Sequence, residues 1–152
     1  MGYTKNFSET ELTRSDYAIR HGINNEPVDD YVRENLERLA KYLQSIRDAL
    51  CYHYKRDVSI NVSSAYRSPA VNSAVGGSRS SAHMQGLAAD ITANGLTVQE
   101  LFDFIAQNFG YDQLINEFGA WVHVSMPSPS KKRMQKLAAV KSGGKTVYAT
   151  VA

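Results

Sequence analysis

The chain changes from loop to strand within residues 80–91, SSAHMQGLAADI. Successive side chains of a strand point to opposite faces, so Ala88, Asp90 and Thr92 share one face of this strand. An unpaired carboxylate is costly to bury, and Asp90 therefore needs a partner. His83 lies seven residues before Asp90. On one straight strand, the side chains of two residues at this spacing would point to opposite faces. Gly86 lets the chain turn between His83 and Asp90, as binding to one ion would require.

Upstream of this segment the sequence predicts a long amphipathic helix over residues 27–54, with Pro27 in its first turn. Its apolar residues recur every three or four positions: Val32, Leu36, Leu39, Leu43, Ile46 and Leu50. A strand follows in VSINVSSAY, residues 58–66, where apolar and polar residues alternate. The Ser- and Gly-rich residues 68–86 are predicted to form a long loop, and long loops inside compact domains often carry function.

Downstream, residues 87–93 are predicted to form a strand and residues 97–110 a helix, with Thr97 and Glu100 as its capping box and Gly110 at its end. A hairpin is predicted next, in which DQLINE (112–117) and WVHVSM (121–126) are joined by residues 118–120. A second hairpin is predicted around residues 142–144. These elements indicate an α+β fold, a small and mostly antiparallel sheet backed by helices, in one domain over residues 1–152.

The first hairpin fixes which side chains lie near His123. If residues 118–120 form the turn, Glu117 lies opposite Trp121 and Ile115 lies opposite His123. Glu117 and His123 then share a face as diagonal neighbours, about 7 Å apart at the backbone. That distance suits a base acting on water bound to a metal held by His123.

His83, Asp90 and His123 together are a familiar ligand set for catalytic zinc, which keeps a fourth position open for water. Each of them alone also has an ordinary interpretation. His83 can be a loop histidine, Asp90 a turn or cap residue, and His123 a strand histidine. The set depends on family resemblance more than on spacing.

The segment 80–91 resembles the zinc D-Ala-D-Ala carboxypeptidase family, which includes phage L-alanyl-D-glutamate endolysins and is related to the hedgehog signalling domain. It fits the pattern S-x-H-x-x-G-x-A-x-D through Ser81, His83, Gly86, Ala88 and Asp90. The resemblance implies a hedgehog-like or carboxypeptidase-like fold and one zinc ion bound by His83, Asp90 and His123. The motifs span about residues 63–126, and residues 7–27 and 141–148 also resemble phage members.

The second segment departs from the common carboxypeptidase pattern, which has its acid three residues before the last ligand. That position here is Ala120. The segment instead resembles the hedgehog and phage-peptidase variant, with the acid six residues before the ligand, and this implies Glu117 as the catalytic base.

A third segment, SAYRSPAVN, is similar to the family segment whose Arg binds the substrate's carboxylate, which implies that role for Arg67. The alternative for Arg67 is a surface residue at a strand end. Ser81, Gln113 and Trp121 are further candidates for the substrate site, although Ser81 can instead support a ligand and Trp121 can be rim packing.

Composition excludes several classes of protein. A net charge of +2 argues against a protein built mainly to bind nucleic acid, and the single Cys51 excludes an internal disulfide. The residues after Glu117 include six basic and no acidic ones. This cationic region is either a solvated surface or attracted to an anionic polymer such as cell wall.

No apolar run approaches the roughly 20 residues that cross a bilayer, so stable membrane insertion is not expected. The start of the sequence lacks the apolar stretch of a secretory signal, and we expect synthesis in the cytoplasm. The protein is then expected to act at the cell wall or in the periplasm after the membrane is permeabilised, as a monomer.

These expectations combine into a zinc metallopeptidase that hydrolyses an amide bond in peptidoglycan stem or cross-link peptides, as a phage-type endolysin. One alternative is a D-Ala-D-Ala carboxypeptidase, which removes a terminal residue. An alternative of another class is a non-catalytic, zinc-containing wall-binding or virion module. Glu117 and Arg67 count against that last alternative.

Overall fold

The computed structural model describes residues 3–128 and 132–151 of the chain. These residues contain five α-helices and six strands. The helices are α1 (Glu9–Thr13), α2 (Asp16–His21), α3 (Asp30–Tyr54), α4 (Pro69–Ala74) and α5 (Val98–Asn108). The strands are β1 (Ile60–Ser64), β2 (Ala88–Ala93), β3 (Gln113–Glu117), β4 (Trp121–Ser125), β5 (Gln135–Ser142) and β6 (Lys145–Thr150). A single 3₁₀ turn, Ala82–Gln85, precedes β2.

The six strands form one sheet in the order β1-β2-β4-β3-β5-β6. β3 pairs antiparallel with β4 and parallel with β5, and β5 pairs antiparallel with β6. Helix α5 packs against β3 and β4. The predicted α+β fold with a mostly antiparallel sheet is confirmed, and so are both predicted hairpins.

The β3–β4 hairpin has the predicted register. Glu117 pairs with Trp121, and Ile115 pairs with His123. Phe118 and Gly119 occupy the turn with φ of 60° and 68°, in the left-handed region. The turn is closed by a hydrogen bond of 2.9 Å that the Ala120 amide donates to the Glu117 carbonyl. A short local connection therefore fixes which face each side chain of β3 and β4 occupies.

Helix α3 begins three residues later than the sequence predicts. Asp29 caps it, because its side-chain Oδ1 accepts a hydrogen bond of 2.9 Å from the Tyr31 amide and its carbonyl accepts one from the Arg33 amide. Pro27 precedes this cap, so its predicted place in the first turn is wrong. The predicted apolar stripe is confirmed: Leu36, Leu39, Leu43, Ile46 and Leu50 are fully buried.

Residues 68–86 contain more regular structure than the predicted long loop. Ser68 caps α4, with Pro69 in its first turn, and Ser81 caps the 3₁₀ turn. In both, the serine oxygen accepts a hydrogen bond from a backbone amide. Both helical pieces are too short to show an apolar period, so only their capping residues carry a signal in the sequence.

The chain divides into two compact units. One comprises Met1–Ser45 and Val62–Ala89, and the other comprises Ile46–Asn61 and Asp90–Ala152. The first includes α1, α2, α4 and the 3₁₀ turn, and the second includes α5 and β3–β6. The single domain over residues 1–152 stays a prediction. Among the described residues, none of the helices combines the length and the apolar character needed to span a membrane.

Candidate metal centre

His83 is held in the 3₁₀ turn by hydrogen bonds on both sides. Its backbone amide donates to Ser81 Oγ at 3.2 Å, and Gly86, with φ of 75°, caps the turn in the left-handed conformation. The imidazole is 3 % exposed, and its Nδ1 lies 2.7 Å from the carbonyl oxygen of Ala65. A carbonyl can only accept, so Nδ1 carries a proton, and in the neutral imidazole the lone pair is then on Nε2. This is the tautomer that a metal-binding histidine needs.

Asp90 is buried in β2, where it is 6 % exposed. Its Oδ1 lies 3.1 Å from Nδ1 of His123, whose side chain on β4 is also largely buried. The neighbouring residues Ala88 and Ala89 are small and fully buried. The expectation that Asp90 requires a partner is confirmed, and His123 is one such partner.

The structure brings together all three side chains that the sequence suggests as metal ligands. One ligand atom each from His83, Asp90 and His123 can be chosen so that all three lie within 4.8 Å of one another. Two ligands on one tetrahedral zinc ion, each at about 2.0–2.1 Å, lie about 3.3 Å apart. The 3.1 Å between Asp90 and His123 is close to that spacing. Two imidazoles and one carboxylate thus fit a zinc ion with one open position.

Glu117 lies on the same face of the sheet as His123. Directly paired residues share a face, so Ile115 and His123 point the same way, and Glu117 follows Ile115 by two positions. The carboxylate is half-buried at the end of β3. Ala120, the position of the acid in the common carboxypeptidase pattern, lies in the exposed turn.

Two side chains orient the guanidinium group of Arg67. Its Nε donates to Ser64 Oγ at 3.1 Å, and its Nη1 donates to Asn72 Oδ1 at 3.5 Å. Asn72 is buried and fixed in turn, because its Nδ2 donates to the Ser78 carbonyl at 2.9 Å. The backbone amide of Arg67 also donates to the carbonyl of His83 at 3.1 Å. Ser64 and Asn72 are not among the predicted site residues, although they are the first and last residues of the SAYRSPAVN segment.

The other predicted substrate contacts have structural partners of their own. Ser81 caps the turn that carries His83. Gln113 shares the face of Glu117, and its Nε2 donates to Gln135 Oε1 at 2.8 Å. Trp121 is half-buried and packs edge-on against Phe118, with 5.9 Å between ring centroids. Its indole Nε1 is buried without a hydrogen-bond partner among the described residues. The substrate contacts of Ser81, Gln113 and Trp121 stay predictions.

Tyr148 is a neighbour of this region that the sequence does not indicate. Partial burial of its phenol is the largest factor that raises the pKa of Tyr148, and the Glu117 and Asp90 carboxylates raise that pKa further. The phenol therefore keeps its proton at neutral pH. Tyr148 is 31 positions from Glu117 in the chain, and only the pairing of β3, β5 and β6 relates the two.

Comparison with known proteins adds one finding. Residues 5–125 match the family model described as Peptidase M15. The match includes His83, Asp90, His123, Glu117 and Arg67, and it ends with β4, so β5 and β6 lie outside it. No curated protein sequence matches the chain.

Proposed function

Because the chain belongs to the peptidase M15 family, whose members are zinc-dependent peptidases, we propose that it is a phage-type endolysin that hydrolyses an amide bond in peptidoglycan stem or cross-link peptides. The observation that carries this proposal is the His83, Asp90 and His123 group, whose ligand atoms lie within 4.8 Å of one another. Glu117 on the face of His123 adds the acid that hydrolysis needs.

Each residue of the proposed site would have its own role in the hydrolysis. His83 Nε2, His123 and Asp90 would hold the zinc, which when bound lowers the pKa of water and polarises the scissile carbonyl. The Glu117 carboxylate accepts the proton of the attacking water and passes it to the nitrogen of the leaving amine. The Ala65 carbonyl accepts a hydrogen bond from Nδ1–H of His83, which leaves Nε2 of the neutral imidazole for the metal.

Arg67 would bind a carboxylate of the substrate. A guanidinium offers two parallel N–H donors that match the two oxygens of a carboxylate. Ser64 and Asn72 hold its plane in one orientation, which lowers the entropy lost on binding. Ser81, Gln113 and Trp121 are proposed as further contacts to the peptide.

The partner implied by this chemistry is a peptidoglycan peptide, and the place of action is the cell wall or the periplasm. We propose that the protein reaches it as a monomer after the membrane is permeabilised. Phage-type activity inside the stem or the cross-link is favoured over removal of a terminal residue by the resemblance of the Glu117 segment to the phage variant.

A second candidate is a D-Ala-D-Ala carboxypeptidase. The oriented guanidinium of Arg67 favours it, because a terminal D-Ala presents a free carboxylate next to the scissile bond. The two candidates give different products from the same muropeptides. A carboxypeptidase releases only D-Ala, whereas an endopeptidase releases internal fragments.

Mass spectrometry of purified muropeptides tests the proposal. The wild-type protein with zinc should release internal fragments, a chelator should stop the release, and added zinc should restore it. Glu117→Ala should retain zinc and lose nearly all hydrolysis. Glu34→Ala, an exposed acid on α3, is the matched control and should hydrolyse like the wild type.

Three outcomes would count against the proposal. Release of D-Ala alone would establish the carboxypeptidase instead. A sample with one zinc per chain and no released product would favour the non-catalytic module. Unchanged turnover in Glu117→Ala would remove Glu117 as the base.

A further inference from the structure

The hairpin of β5 and β6 extends the sheet next to Glu117, outside the residues that match the family model. Glu117 pairs with Ala139 on β5, and Ala139 pairs with Tyr148 on β6. Directly paired residues share a face of the sheet. Glu117, Ala139 and Tyr148 therefore form one row across three strands, on the face that also carries His123.

The middle residue of the row has the smallest side chain. Neighbouring strands lie about 4.8 Å apart, which puts the backbones of Glu117 and Tyr148 about 10 Å from each other. Ala139 contributes only a methyl group between them and is 1 % exposed, whereas Tyr148 is 54 % exposed. Tyr148 therefore lies at the solvent-exposed end of the row. The Glu117 and Asp90 carboxylates also raise the pKa of Tyr148, so the phenol lies within their electrostatic reach.

Lys141 and Phe118 add a cationic and an aromatic side chain to this part of the sheet. Lys141, two positions from Ala139 and on the same face, holds its Nζ 5.2 Å from the centroid of the Phe118 ring. Phe118 in turn packs edge-on against Trp121. An aromatic and cationic border of this kind offers hydrogen-bond donors and apolar surface, which suits a peptide that carries carbonyl and carboxylate oxygens.

We propose that Tyr148 is a substrate-binding residue whose phenol donates a hydrogen bond to a carbonyl oxygen of the peptide, so that the β5–β6 hairpin forms one wall of the substrate site. This inference rests on the proposed peptidase function and assigns that site a residue outside residues 5–125, which match the family model.

Steady-state kinetics on a synthetic stem peptide test the inference. Tyr148→Phe removes only the hydroxyl group and should raise KM about 3- to 10-fold, the size of one neutral hydrogen bond, with kcat changed less than about 2-fold. Tyr148→Ala should raise KM at least as much. Val147→Ala is the matched control, because Val147 is the preceding residue of β6, 44 % exposed and on the opposite face.

Two results would overturn the inference. The first is a KM of Tyr148→Phe equal to that of the wild type. The second is an equal rise of KM in Val147→Ala, which would show that the variants act through the stability of the hairpin. Circular dichroism of each variant separates unfolding from both results.

A binding measurement keeps the inference testable if the wild type hydrolyses nothing. Trp121 is the single tryptophan and lies on the face of Glu117, so its fluorescence can report binding of the stem peptide to the zinc-loaded protein. In that case the proposed function fails, whereas a weaker affinity of Tyr148→Phe than of Val147→Ala still supports the inference. Equal affinities, or no binding by any of the proteins, would overturn it.

Discussion

Gly86→Ala should destabilise the protein more than the same change at any glycine with open surroundings. Gly86 has φ of 75°, and an added Cβ would lie 2.9 Å from the Val32 carbonyl oxygen and 3.1 Å from Leu36 Cγ. The first contact is with the backbone of α3, which cannot move as a flexible side chain does. Gly76 is the matched control, because its φ is 76° and nothing lies within 4 Å of its added Cβ.

The two substitutions share one cost and differ in another. A left-handed conformation costs a residue other than glycine about 1–2 kcal/mol, and the loss of glycine's freedom in the unfolded chain offsets about 0.4–1 kcal/mol of it. Both variants carry this net cost of about 1 kcal/mol. Overpacking adds about 1–3 kcal/mol in Gly86→Ala alone. We therefore expect a loss of about 2–4 kcal/mol for Gly86→Ala and about 1 kcal/mol for Gly76→Ala.

Urea unfolding followed by circular dichroism measures both values. A chelator in all samples removes any contribution of bound metal to the free energy of unfolding. Equal losses in the two variants would refute the steric reasoning at Gly86. A larger loss in Gly76→Ala would refute it as well.

Two further predictions concern a buried ion pair and the metal. Arg133→Ala should lower the free energy of unfolding by about 1–3 kcal/mol, because the buried carboxylate of Asp112 loses hydrogen bonds of 2.9 and 2.7 Å from the guanidinium. Lys132→Ala, a change at the exposed neighbouring residue, should alter that free energy little. Equal effects of the two substitutions in urea unfolding would contradict this prediction. Free zinc at about 100 times its Kd should raise the free energy of unfolding by about 2.7 kcal/mol. Thermal unfolding should show that rise in the wild type and not in Asp90→Asn, and a rise of the same size in Asp90→Asn would place the ion elsewhere.

Local patterns in the sequence predict the parts of the fold that position Glu117 and His123. The alternation of apolar and polar residues and a three-residue connection are enough to fix the register of β3 and β4, because the side chains of a strand alternate strictly. The capping box of α5 is predicted for the same reason, since Thr97 and Glu100 interact within one helical turn. Interactions between nearby residues leave a signal that can be read from the sequence.

Distant pairing leaves no such signal. The parallel pairing of β3 with β5 joins Glu117 to Ala139, and nothing in either segment specifies the other. Tyr148 was missed as a neighbour of Glu117 for this reason. Likewise, the hydrogen bond from His83 to the Ala65 carbonyl, which selects the tautomer, joins residues 18 positions apart.

Short helices were missed for a different reason. α1, α2 and α4 have five or six residues each, fewer than two turns, and cannot show the period of an amphipathic helix. Serine caps begin all three, so capping residues are the better guide to helices of this length. A capping residue also marks the start of α3, because the Asp29 side chain caps the helix and Pro27 lies two residues before that cap.

Zinc bound per chain after dialysis, measured by elemental analysis, tests most directly the claim that His83, Asp90 and His123 hold the metal. The wild type should retain one zinc ion per chain. His123→Ala should lose it, and His21→Ala, a change at an exposed histidine outside the candidate centre, should retain it. A wild type without zinc, or a His123→Ala variant that keeps one ion per chain, would contradict the claim.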